Sequence, residues 1–467
     1  MATKLDSTGI PAILKLQELT KEEKAAALTV LLLVFPGVII INIFGFVPKF
    51  GLLFVLAPAA ILALLNFRMA LLMFFLSFFV NYIYFYTLSV STIAGIVLTG
   101  SYFITHTFRE GELKNPLLFP LLILLTGFLP SIFKSIDPAT TIILYTQLFV
   151  FAGIITALNS GFRRDDVVKF FMAGFLTLAV FNVISIFIGS FMGRNRVFGF
   201  AGIMFVDYAG LLLSFLLPVI LYTKKRRFLY VSVFVFILLG LILTQTRNAW
   251  ISTLITISLI LFSYIRSETS IAQKTKKVLQ VFVVLFILAA VALIAYQINP
   301  TAFSRVTNPG YRGPIQSEED LAAIGTFATR MFIWITAFQA FIQNPLLGVG
   351  IYSFPFSSGA YSTLDPIIYE MFVRNLSPHL TLLEVLSETG IIGFAAFGIF
   401  IWHYIKLISG NLRFGKSRHD KIVLAKSWAG VYILFSMLLT DAWLWGHGLI
   451  LWGVIIAMNL AVQKEAV

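Results

Sequence analysis

Apolar residues run along this chain in blocks of about 17–25, separated by short polar connections, with no sustained alternation of period two. Blocks of that length suit helices that cross a bilayer, not the weak dyad pattern of a barrel. By hydropathy the spans fall at 25–46, 50–65, 67–86, 89–106, 117–134, 138–158, 168–192, 205–222, 228–244, 247–265, 278–297, 388–408, 422–440 and 443–462. The expected fold is therefore an all-α polytopic membrane protein with about 12–14 transmembrane helices. One long polar interruption, 298–387, breaks the series. The organisation expected is an interfacial segment 1–24, a bundle 25–297, the insert 298–387, and C-terminal spans 388–467. In the first segment Ile13, Leu14, Leu16 and Leu19 can lie on lipid while Lys15 and Lys21 face headgroups. No cleavable signal peptide is expected there. No strong internal repeat is visible, which disfavours transporters built from duplicated halves.

Composition agrees with this pattern. The chain is 59% hydrophobic and 12% charged, against about 25% charged in soluble domains. It has no cysteine, so disulfide and thiolate chemistry are excluded. The net charge of +13 could suggest nucleic acid, but its placement points to topology instead. With the N-terminus inside, the dense basic runs fall in cytoplasmic connections: Arg163–Arg164, Lys224 to Arg227, Lys274 to Lys277, and Arg413 to Lys426. That is the positive-inside pattern, with anionic lipid as the basic face's partner and no nucleic acid. The cations left outside are Lys49, Lys134, Arg194, Arg196, Arg247, Arg305, Arg312, Arg330 and Arg374. Most are arginine, whose planar fork suits phosphate and carboxylate.

The insert is too long for a passive connection. Asn308 to Pro314 reads as loop, and 317–343 as helix: Ser317 caps it, Glu318, Glu319 and Asp320 fill its first turn, and Phe327, Met331, Trp334, Phe338 and Phe341 recur at helical spacing. Pro345 ends it and Leu346 to Gly350 turns. A second helix is expected after Pro378-His379, with Glu384 and Glu388 one turn apart, continuing into the next span. His379 is the candidate acid–base group, because imidazole titrates near neutral pH. The five histidines, His106, His379, His403, His419 and His447, show no ligand spacing, so no metal site is expected. Arg247, in the short turn Thr244 to Trp250, is costly so near hydrocarbon unless it binds something. Asp207, at the head of the eighth span, could simply neutralise an arginine. A transporter and a structural scaffold remain rival readings: the first lacks charges at span centres, and the second leaves the arginine–histidine set unexplained.

In order, the chain carries Arg194-x-Arg196-x-x-Gly199-Phe200, then Thr246-Arg247-Asn248-Ala249. Arg330-x-x-x-Trp334-x-x-Ala337 and Pro345-Leu346-x-Gly348-x-Gly350 follow, then His379-x-x-Leu382 and Glu388-x-Gly390-Ile391-Ile392-Gly393. This series resembles the O-antigen ligase and Wzy-type polymerase superfamily over about residues 190–400, with departures at Leu380 and Asp207. The resemblance implies an inverting glycosyltransferase of the GT-C type at the periplasmic face of the inner membrane, needing neither metal nor cofactor. Its donor is a glycan on undecaprenyl diphosphate, and its acceptor is lipid A–core in a ligase or a growing glycan in a polymerase. It implies that His379, Arg247 and Arg330 are catalytic, and that Arg194, Arg196, Trp334, Arg374 and Glu388 bind substrate or orient its site.

Overall fold

The computed structural model describes residues 60–61, 63–78, 84–85, 88–105, 115–160, 164–191, 204–224, 226–267, 270–298, 326–440, 444 and 446–463. The described chain is almost entirely helical. α1 (Phe67–Ser77) leads through a two-residue antiparallel pair, β1 (Tyr84–Phe85) and β2 (Leu88–Ser89), into α2 (Val90–Thr105). α3 (Leu118–Phe128) tightens into a 3-10 turn, Leu129–Lys134, before α4 (Pro138–Ser160). Then come α5 (Arg164–Phe191), α6 (Met204–Tyr222), α7 (Arg227–Leu243), α8 (Arg247–Arg266) and α9 (Ile271–Ile298). The insert contributes α10 (Thr326–Gln343), α11 (Phe354–Ser357) and α12 (Pro366–Phe372). α13 (Thr381–Arg418), α14 (Lys421–Met437) and α15 (Gly446–Gln463) complete the series.

This is an all-α polytopic membrane protein. Five described helices, α4, α6, α8, α9 and α13, are long and apolar enough to cross a bilayer, and shorter apolar helices pack among them. The spans expected from 89 onward all fall on helices, with ends shifted by a few residues. The expected span 67–86 does not run its full length: α1 stops at Ser77, and aromatic Tyr84 and Phe85 pair as strand. Aromatic side chains favour the extended pleat, and they override a hydropathy window that registers only apolarity. The expected span 25–46 lies outside the described residues, as does most of 50–65.

α6 is the central helix, buried along nearly its whole length, and α14, α7, α8 and α5 pack around it. α9 lies at the periphery, where Phe282, Phe286 and Leu293 point outward, as expected for lipid contact. Two ends of the bundle differ in charge. At one, α7 begins beside Arg226 and Arg227, α13 closes with Lys416 and Arg418, and α14 starts at Lys421. At the other, α7 hands over to α8 through Thr244–Thr246, α14 ends, and the insert docks.

The insert has a small core of its own. Ile333, Ala337 and Ala340 of α10 pack with Val349, Phe354 and Val373. The opposite side of α10, Met331, Ile335, Phe338 and Ile342, is exposed. The helix expected over 317–343 is described from Thr326, and the Ser317 cap lies outside the described residues. α13 is two helical pieces that meet at a kink, where Gly390 leaves helical geometry (φ 62°, ψ −165°) close to the expected boundary at 387/388.

Candidate active site

Three helix ends and one helix flank meet at the end where the insert docks. α14 finishes at Met437, which leaves the carbonyls just beyond it without intrahelical partners. Side chains from other elements take them up. Asn248 Nδ2 donates to Leu439 O (2.8 Å), and Arg330 Nη1 donates to Asn248 Oδ1 (3.1 Å) and to Leu439 O (3.5 Å). Thr381, first residue of α13, donates its amide (3.3 Å) and its hydroxyl (2.6 Å) to Thr440 O. A guanidinium at a helix C-terminus is favoured by the partial negative charge there. Asn248 directly follows Arg247, the first residue of α8. A cation at a helix N-terminus opposes the macrodipole. Arg247 is therefore placed against its local electrostatics.

One turn along α10 from Arg330, Trp334 Nε1 donates to Pro378 O (2.9 Å). This bond holds the residue before His379. His379 itself is half-buried, with its Nδ1 3.3 Å from Ser377 Oγ. It sits just ahead of a helix start, as the sequence pattern suggested. It lies two residues ahead of Thr381 with φ 54°, in the left-handed region that non-glycine residues seldom occupy. Such backbone persists only where its surroundings over-determine it, and it concentrates at functional sites.

Glu388 is buried, and both its carboxylate oxygens are occupied: Oε2 accepts from Tyr352 N (2.7 Å) and Oε1 from Phe354 N (3.2 Å). It holds a loop in place. Glu384 and Glu388, expected one turn apart on the helix after His379, are both buried, and Leu382 is exposed. The Pro345–Gly350 turn lies backbone to backbone against the α13 kink. Val349 N donates to Ser387 O (3.0 Å), Gly350 N to Glu388 O (3.0 Å) and Ile391 N to Pro345 O (2.8 Å). A Cβ at Gly348 would come within 2.3 Å of the Glu388 carbonyl carbon, and one at Gly390 within 2.4 Å of the Leu346 carbonyl carbon. The two glycine motifs of the sequence are therefore two halves of one contact. Tyr352 (φ 59°) donates its hydroxyl to Leu444 O (2.8 Å), and burial together with Glu384 and Glu388 pushes its phenol well above the usual range. Ser353 Oγ and Ser135 Oγ, 2.7 Å apart, tie this loop to the turn before α4.

The structure thus gathers Arg330, Trp334, the Arg247–Asn248 turn and the Pro378–His379 segment around the end of α14. Arg374 stands apart from that bonding, with Nη1 2.6 Å from Glu370 Oε2 in an exposed pair. Arg194 and Arg196 lie outside the described residues. Asp207 Oδ2 lies 3.7 Å from His447 Nε2. The turn after α14 was not singled out from the sequence; its value lies in backbone carbonyls, which no residue pattern records. Among the described residues no group of three or more His, Asp or Glu side chains could hold a metal.

Residues 232–398 match a family model described as O-antigen ligase, Wzy_C. A Rickettsia conorii protein whose name makes it a candidate polysaccharide ligase is 29% identical over 153 residues, 32% of this chain and 36% of its own length. The chain therefore spans about a third of that relative's length in the match. The matched segment contains Arg247, Asn248, Arg330, Trp334 and His379, gathered above, and Glu388. The segment that builds most of this site is thus similar to the O-antigen ligase and Wzy superfamily.

Proposed function

We propose that this end of the bundle lies at the outer face of the bacterial inner membrane and transfers a glycan from undecaprenyl diphosphate to an acceptor hydroxyl. The observation that carries this reading is the shared frame of α10: one helix positions a guanidinium through Asn248 and Leu439, and an imidazole segment through Trp334 and Pro378. The acceptor oxygen attacks the anomeric carbon, the bond from that carbon to the diphosphate oxygen breaks, and the acceptor proton passes to His379. Attack opposite the leaving group inverts the anomeric centre. Arg330 and Arg247 offset the charge that grows on the diphosphate, with Arg196 in support. By analogy with single oxyanion donors, each contributes about 3–4 kcal/mol to the transition state. Proton removal by His379 adds roughly 10²–10⁴-fold. The exposed apolar side of α10, next to Arg330, suits a donor with a charged head and a prenyl tail.

The acceptor we propose is lipid A–core, since the matched family model is described as a ligase. The test is purified protein in nanodiscs supplied with undecaprenyl-diphosphate glycan, alone and with lipid A–core. Transfer to lipid A–core supports the ligase. Growth of the glycan on its polyprenyl carrier, with none on lipid A–core, replaces it with a polymerase.

A further inference from the structure

We propose that Thr381 is the positioning residue of His379, tying the imidazole segment to the same stretch of backbone that holds Arg330; the reaction it serves rests on the reading above. Thr381 is fully buried at the start of α13, out of reach of a substrate. Its hydroxyl and its amide both donate to Thr440 O, at 2.6 Å and 3.3 Å. His379 stands two residues earlier, half-buried, with φ 54°. A non-glycine residue keeps that left-handed backbone only while the chain on both sides is held. Ahead of it, Pro378 has a ring-fixed φ, and its carbonyl takes the Trp334 Nε1 bond at 2.9 Å. Behind it, Leu380 occupies the N-cap position of α13 and supplies no side-chain cap bond. The local cap that Ser, Thr, Asp or Asn gives a helix start is therefore missing. The tie from Thr381 to Thr440 fixes that side instead.

Where Thr381 is tied gives the bond its role in the reaction. Leu439 and Thr440 directly follow the last turn of α14, and both their amides donate to Ser436 O, at 2.9 Å and 3.0 Å. Their carbonyls are thereby set by the end of that helix. The Leu439 carbonyl holds Asn248 and Arg330, and the Thr440 carbonyl, one residue on, holds Thr381. The cation that faces the donor and the imidazole that faces the attacking hydroxyl thus hang from neighbouring carbonyls. Transfer needs both groups at once, and a displacement of about 1 Å is enough to cost rate. A cap at position 380 would steady the helix start equally well, but it would not register His379 against Arg330. Thr381 does both.

The experiment uses the full chain in nanodiscs with Thr381→Val, which deletes the hydroxyl and keeps the branched shape, and Thr381→Ser, which keeps the hydroxyl. Thr440 O retains the backbone amide of residue 381 in both, so the melting temperature should stay near that of the wild type. In transfer from undecaprenyl-diphosphate glycan, Thr381→Val should lower kcat by about 10–10²-fold with donor KM little changed. Thr381→Ser should keep most of the rate. In a His379→Asn background Thr381→Val should cost nothing further, because the residue acts through the imidazole. Amide exchange over 379–381 should quicken in Thr381→Val and not in Thr381→Ser. Wild-type kcat in Thr381→Val, a loss that multiplies with His379→Asn, a melting temperature that falls in step with kcat, or unchanged exchange would overturn the proposal. A wild-type chain that transfers nothing, or His379→Asn at the wild-type rate, sinks the transfer reading instead. Exchange then decides whether Thr381 fixes the segment: quickening keeps that role, and no change removes it.

Discussion

His379 combines the chemistry of an acid–base group with a backbone conformation that a side chain seldom takes. Asn tolerates that left-handed conformation best among non-glycine residues. His379→Asn should therefore fold normally and lose roughly 10²–10⁴-fold in transfer rate, measured at saturating donor. A variant near wild-type rate would remove His379 from the chemistry. Glu388 is expected to behave differently. Glu388→Ala strips two backbone amides of their acceptor, at about 2–3 kcal/mol, so a fall in melting temperature should accompany any fall in rate. Tyr352 adds a pH signature. Its phenol is raised in the fold, so folded protein holds that proton more tightly than unfolded chain does. The associated stability is complete below about pH 10 and is lost as pH rises beyond it. Tyr352→Phe should flatten that alkaline loss in urea melts. It should also cost about 1 kcal/mol at neutral pH through the bond to Leu444 O.

The contact between the Pro345–Gly350 turn and the α13 kink is the element most sensitive to one methyl group. Gly348 and Gly390 both have positive φ, and each approaches the other segment's backbone too closely for a Cβ. Gly348→Ala or Gly390→Ala should destabilise by about 1–3 kcal/mol and displace the loop that Glu388 holds. Thermal melts in detergent would measure the first effect, and amide exchange at Tyr352 and Phe354 the second. The apolar stripe foreseen on α10 was real in spacing, yet Met331 and Phe338 lie on its exposed side. The packed side consists of Ile333, Thr336, Ala337 and Ala340, small enough for the helix to seat closely. Periodicity reveals that a helix has sides, but in a membrane protein both sides can be apolar, so it does not say which one is packed.

At the scale of the molecule, the charge asymmetry between the two ends predicts orientation. The chain has no cysteine, so single substitutions can report sidedness. Thr363→Cys, exposed on the insert, should react with an impermeant maleimide from outside cells, and Ser417→Cys, exposed at the basic end, only after permeabilisation. The reverse labelling would invert the topology and move the site to the cytoplasm.

The sequence by itself determined the class and much of the frame. Span length, the uneven placement of Lys and Arg, the insert and the ordered motifs are properties of local windows, and bilayer physics acts on windows of that kind. Only the tertiary structure decided what the motifs do for one another. Asn248, Arg330 and Leu439 are far apart in the chain and meet through the packing of α8, α10 and α14. The left-handed backbone of His379, the occupied carboxylate of Glu388 and the carbonyls beyond α14 likewise arise from that packing. A backbone carbonyl has the same formula at every residue, so only the fold can make one of them part of a site.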